Sequence, residues 1–353
     1  MKRMFVAILL AGAASGAAVS GQMKNTAIPR TADGKPDLTG VYDLATMTPV
    51  ERPSNMPAIM SDEDAARLEK AEAARNQALD KSLDGNRAAP PKGGDGSVGA
   101  AGNVGGYNNF WLDRGGAYNI VDGQRRTSLV IDPPDGKVPA LTAEARERQR
   151  SRLAQFRPTS DQGESSDPGL EPAGAYDDPE RRPLGERCLL GFGSTSGPPI
   201  LPNYFYNNLH QIVQTPNEIM ILTEMVHDAR VVRMNAKHVP STIRKWMGDS
   251  IGWWEGDTLV VETTNFTDKT RFRGANADMK VTERFTRVDA KTLKYRFTID
   301  DPTTWTRPWT GEYSWPATTE RIFEYACHEG NYAMMNILKG ARLREKQTTD
   351  KQQ

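Results

Sequence analysis

The sequence predicts a mainly β protein: an antiparallel, lipocalin-like barrel of about eight to ten strands with a pair of peripheral helices. Three observations predict it. Short runs rich in Val, Ile, Thr, Phe and Tyr recur through the second half of the chain, separated by turn residues. One run alternates cleanly, with Leu293, Tyr295, Phe297 and Ile299 on one face and Lys294, Arg296, Thr298 and Asp300 on the other. A long meander of one-face-in strands is best served by closing on itself, because closure removes exposed edges. An aligned β-sandwich is the alternative. No internal repeat supports a propeller.

Taken in order, residues 1–20 read as a secretory signal peptide. Met1-Lys2-Arg3 is a basic start, Phe5 to Leu10 is apolar, and Ala18-Val19-Ser20 is a small-x-small cleavage site. Residues 21–187 are expected to be an irregular N-terminal region with two helices and a Gly-rich loop. Ser61 caps the first helix, with Asp62, Glu63 and Asp64 in a first turn where carboxylates complement the helix dipole. The loop spans residues 85–109. Ser128 to Ile131 is a short strand stopped by Pro133-Pro134, and the second helix runs from Thr142 to Phe156.

The antiparallel barrel is expected over residues 188–340. Its strands are placed at 209–214, 218–226, 230–234, 258–265, 280–288, 292–300, 310–314 and 321–327. Thr215-Pro216-Asn217, Glu255-Gly256-Asp257 and Asp289-Ala290-Lys291 are the turns between them. Residues 341–353 are expected to be a disordered tail.

Composition narrows the function. The chain has 353 residues with 45 Lys plus Arg against 45 Asp plus Glu, so no basic excess exists to collect nucleic acid. No stretch beyond the signal is apolar enough for stable membrane insertion. The chain is therefore expected to be periplasmic or secreted, and soluble once its signal is removed. The 2 cysteines exclude a disulfide-dense miniprotein and a four-thiolate zinc site. In an oxidising compartment Cys188 and Cys327 pair by default. Closing so long a loop is worth about 4–5 kcal/mol in the chain-entropy model.

Several stretches resemble a family of exported bacterial proteins to which no activity is attached. They include Trp254-Glu255-Gly256-Asp257-Thr258-Leu259-Val260-Val261-Glu262-Thr263 and Glu324-Tyr325-Ala326-Cys327-His328-Glu329-Gly330-Asn331-Tyr332. Asn208-Leu209-His210-Gln211-Ile212-Val213-Gln214-Thr215-Pro216 is a third. The resemblance covers most of the chain outside the signal and the Gly-rich loop, and it implies export.

Candidate chemistry sits in the β half, which holds all four histidines: His210, His227, His238 and His328. Alternation turns Glu224 and Glu283 toward apolar faces, where an ionised carboxylate costs several kcal/mol unless paired. Arg230 is one available partner. A carboxylate and an imidazole opening into an apolar barrel make a general acid/base pair. Glu224, His227, Asp228 and His328 are the catalytic candidates, with Glu283 next. The competing reading is that these residues form buried ion pairs that fix register.

Trp246, Trp254, Tyr206, Trp305 and Trp309, with Arg230, are the candidates for lining a substrate pocket, although core packing explains aromatics equally well. No metal signature such as HExxH, no G-x-S-x-G elbow and no phosphate loop occurs, so no cofactor is expected; a metal held by His227-Asp228 with His238, or by His328-Glu329, is the minor alternative. The favoured function is an exported, cofactor-independent enzyme acting by hydrolysis, elimination or isomerisation on a hydrophobic or aromatic small molecule. The alternative is a non-catalytic periplasmic binding protein for a lipophilic ligand.

Overall fold

The structure is a computed structural model that describes residues 28–79, 112–156, 176–192, 197–203 and 206–352. The expected signal peptide and Gly-rich loop lie outside the described residues. In chain order the first elements are β1 (Gly40–Asp43), β2 (Ile59–Met60), α1 (Asp62–Leu79), β3 (Ile120–Val121), β4 (Gln124–Arg126), β5 (Val130–Asp132) and α2 (Ala143–Phe156). Next come β6 (Leu209–Gln214), β7 (Glu218–Thr223), β8 (Ala229–Met234), β9 (Asp249–Glu255) and β10 (Thr258–Thr264). The chain continues through β11 (Lys280–Asp289), β12 (Thr292–Asp300) and β13 (Trp309–Thr318) to α3 (Tyr332–Gln352).

Both predicted helices form where their caps stand. The Ser61 hydroxyl accepts the Asp64 amide at 3.1 Å, and the Thr142 hydroxyl accepts the Ala145 amide at 3.0 Å. These side chains satisfy donors that the first helical turn leaves orphaned.

The main sheet runs β1-β6-β7-β8-β9-β10-β11-β12-β13-β5, and β1 pairs with both β6 and β13. That double pairing closes a barrel, as expected. β5 adds to β13 alongside it. Closure is not purely antiparallel, because β8 and β9 run parallel, with Val232 opposite Ser250. A parallel pair needs a long crossover, and residues 235–248 supply it. Asp249 pins that crossover, accepting from Lys245 at 3.0 Å, Arg233 at 2.8 Å and the Val239 amide at 3.1 Å. Burial opposes the Asp249 charge, but these bonds and one from His238 outweigh it and hold the carboxyl at about 2.

The barrel draws residues from 40 to 318 rather than from 188 to 340. No strand forms over 321–327; β1 already occupies the edge of β13. Residues 341–352 of the expected disordered tail are instead part of α3.

Alternation places Tyr42, Phe285, Tyr295, Phe297, Trp309, Tyr313 and Trp315 in the core, all at 0 % exposure. Each such side chain contributes roughly 1.5–3 kcal/mol by burial. Residues 197–203 form a wholly buried plug. The Ile200 amide donates to the Tyr295 phenol oxygen at 2.9 Å, and the Tyr313 hydroxyl donates to the Ile200 carbonyl at 3.0 Å. Plug and aromatics together fill the interior around the polar residues described next.

Candidate functional site

The predicted site residues do not gather in one place. Glu283 and Arg230 lie inside the barrel as a bidentate ion pair, with side chains 0 % and 3 % exposed. The Tyr295 hydroxyl donates to the same carboxylate at 2.7 Å. Burial opposes the Arg230 charge, yet Glu283 beside it keeps the guanidinium protonated, with its pKa raised. Burial, then the Glu283 charge, pushes the Tyr295 phenol well above its usual value. Glu283 is thus a buried, paired carboxylate rather than an open acid.

Trp305 and Trp309 are core residues, packed edge to face with ring centroids 5.7 Å apart. Trp246 and Trp254 are half-buried and lie elsewhere, Trp254 beneath the Lys35 ammonium at 5.8 Å. The aromatic candidates therefore do not line one pocket.

The remaining candidates sit at the barrel end where β6 begins and β7 stops. Here Cys188 and Cys327 form the predicted disulfide. Cys188, Met225 and Val226 make a small buried cluster, with Tyr206, Tyr325 and Cys327 packed against it. Tyr206 stacks on Tyr325 with centroids 6.4 Å apart. The buried Glu224 carboxylate accepts the Phe323 amide at 2.8 Å. His227 is exposed, with Nδ1 donating to the Tyr325 carbonyl at 3.2 Å. Asp228 is half-buried, and its carbonyl accepts the Thr223 amide at 2.8 Å. His328 stands exposed in a turn, just past the expected 321–327 strand, which does not form.

Beside the disulfide opens a cleft of about 450 Å³. Phe192, Asn207, Tyr325 and Asn331 line it, together with Glu186 and Glu324. The Asn331 amide ties its two walls together by donating to the Glu186 carbonyl at 2.7 Å. Four non-glycine residues around this end hold left-handed backbone: Cys188 (φ 57°), Asn207 (φ 58°), Val226 (φ 62°) and His227 (φ 47°). For a β-branched residue such as Val226 that conformation costs on the order of 1–3 kcal/mol. Strain of this kind concentrates at ligand clamps and persists only where surrounding contacts hold it.

Sequence reasoning missed the cleft because Glu186, Phe192 and Asn207 sit in irregular connections without periodicity. The available signal was the cysteine pair, which brings the chain around residue 188 beside the chain around 327.

His210, named among the four histidines but not among the catalytic candidates, is 1 % exposed inside the barrel. Nδ1 donates to the Asn208 carbonyl at 3.1 Å, and the ring lies 5.7 Å from that of Trp315. Burial, aided by the Arg230 charge, pulls its pKa down to about 4, so the imidazole is neutral at physiological pH.

Among the described residues no three of His, Cys, Asp and Glu gather to hold a metal ion, and no helix is long and apolar enough to cross a membrane. No family model, curated protein or solved structure matches the chain.

Proposed function

We propose that this protein is an exported, non-catalytic binding protein for a hydrophobic or aromatic small molecule, held in the cleft beside the Cys188–Cys327 disulfide. The observation that carries the reading is the cleft itself. Its volume of about 450 Å³ falls in the range of small-molecule sites, and Phe192 and Tyr325 offer ring surface while Asn207 and Asn331 offer hydrogen bonds.

Binding is favoured over acid/base catalysis by what the expected catalytic groups already do. Glu224 holds the Phe323 amide, His227 holds the Tyr325 carbonyl, and Glu283 is matched by Arg230 and Tyr295. These groups position the cleft walls and the barrel; they do not converge on one reacting atom. A disulfide and the basic, apolar, small-residue N-terminus support export to the periplasm or beyond.

The test is calorimetric titration of the full mature chain with a panel of lipophilic and aromatic compounds. Phe192→Ala and Tyr325→Ala should each weaken binding by about tenfold while leaving the thermal midpoint within a few degrees of wild type. Loss of no affinity in either variant, or turnover of a panel compound, would overturn the reading.

A further inference from the structure

The lining of the cleft carries charge of one sign. Glu186 and Glu324 contribute carboxylates, and among the described residues no Lys, Arg or His lines it. Glu186 is matched by Arg182, but from behind: the Arg182 side chain is 6 % exposed and that of Glu186 30 %. The Arg182 Nε and one terminal nitrogen donate to Glu186 at 2.9 and 3.0 Å, and its guanidinium lies 4.6 Å over the Tyr176 ring. That counter-charge is thus committed beneath the wall. Glu324 is exposed and has no counter-ion within the lining. The remaining large groups are the rings of Phe192 and Tyr325.

Carboxylate and aromatic surface in one concavity select for positive charge. The ring quadrupole attracts a cation, the carboxylate adds a direct Coulomb partner, and an anionic ligand is repelled by both. A methylated ammonium suits such a site, because its weak hydration makes transfer from water cheap and its methyl groups pack on the rings.

We propose that the ligand is an organic cation, an amine or quaternary ammonium joined to an apolar body, with Glu324 as its counter-ion and Phe192 and Tyr325 as its ring contacts. The inference rests on the cleft being the small-molecule site proposed above, and the test separates the two.

The full mature chain is titrated with benzyltrimethylammonium and with neopentylbenzene, its uncharged carbon isostere. The ammonium should bind about tenfold tighter than the isostere. Glu324→Gln should cut that preference severalfold without moving the thermal midpoint, and high salt should weaken the ammonium alone. Equal affinity for both probes overturns the cation assignment and leaves the binding function standing. A preference untouched by Glu324→Gln also overturns it, since the charge would then be read elsewhere. Failure of both probes to bind overturns this inference, and failure of the wider compound panel as well removes the cleft as a site.

Discussion

Arg230 of β8 and Glu283 of β11 meet inside the barrel from strands that two others separate, and both side chains are all but inaccessible to water. The pair heads a chain of hydrogen bonds that continues through the Tyr295 hydroxyl to the Ile200 amide of the plug. This chain of hydrogen bonds, with the one from the Tyr313 hydroxyl to the Ile200 carbonyl, ties the plug to the barrel wall within a largely apolar interior.

Removing one partner of the Arg230–Glu283 pair should be worse than removing both charges. Glu283→Leu or Arg230→Met leaves an unmatched polar group in the core and should cost about 3–5 kcal/mol in urea unfolding. The Arg230→Met/Glu283→Leu double variant should recover much of the loss. Double-variant destabilisation equal to the sum of the singles would mean the two residues act independently.

His210 and Asp43 should oppose each other in the acid range. His210 titrates at about 4 when folded instead of the usual 6.5, so the unfolded chain takes up its proton first. Its contribution is complete above about 6.5 and is lost as pH falls toward 4, on the order of 3 kcal/mol. Asp43 has its carboxyl raised to about 6, mainly by burial, from a usual 3.8. Its contribution is complete below the usual value and is lost as pH rises through 6. Wild-type stability should therefore change little across this window. His210→Asn, whose amide can keep the bond to Asn208, should make the protein relatively more stable toward pH 4 than near neutrality. Asp43→Asn should steepen the acid loss. Thermal midpoints near the two ends of the window would show it, and parallel profiles for all three proteins would sink the account.

Reduction should act on the barrel end before the barrel. The disulfide joins residues 139 apart, and its loss removes a constraint on the unfolded chain worth up to about 4–5 kcal/mol. We expect a reductant to lower the thermal midpoint by several degrees and to weaken ligand binding in the cleft. The far-ultraviolet β signal should persist at room temperature. An unchanged midpoint would show that the thiols are not bonded in solution.

Gly185→Ala should damage the cleft without unfolding the protein. A Cβ there would sit 2.7 Å from Cδ1 of Phe192, so the whole ring must move. Binding should fall about as far as in Phe192→Ala, with the midpoint nearly unchanged. Affinity retained in Gly185→Ala would mean that the position of the Phe192 ring does not matter.

Much of the barrel was legible because its strands have length and alternation. β6 and β12 have the predicted ends, and in β11 Val281, Glu283 and Phe285 face inward as the period of two requires. β1 was missed because four residues, Gly40–Asp43, are too short to show a period. β9 was missed because Gly248-Asp249-Ser250 reads as a turn, whereas Asp249 and Ser250 begin a strand whose partners are set by the crossover. Burial of Glu224 and Glu283 was legible, and Arg230 stood among the available partners; that Arg230 serves Glu283, while Glu224 accepts the Phe323 amide, is decided by which chain segments lie side by side. His328 was misplaced for the same reason: alternation predicts a face only where a strand exists to have one.

β1 is synthesised early, yet its partners hold Gln211 on one side and Thr318 on the other. The seam of the barrel therefore seals only after β13 has emerged, and until then two long edges stand open to water. A chain cut short of β1 would leave β6 and the Ala317–Thr318 end of β13 without their partner permanently. It would be an acceptor for a strand donated by a neighbouring copy, so we expect such a truncation to self-associate rather than simply to melt at a lower temperature.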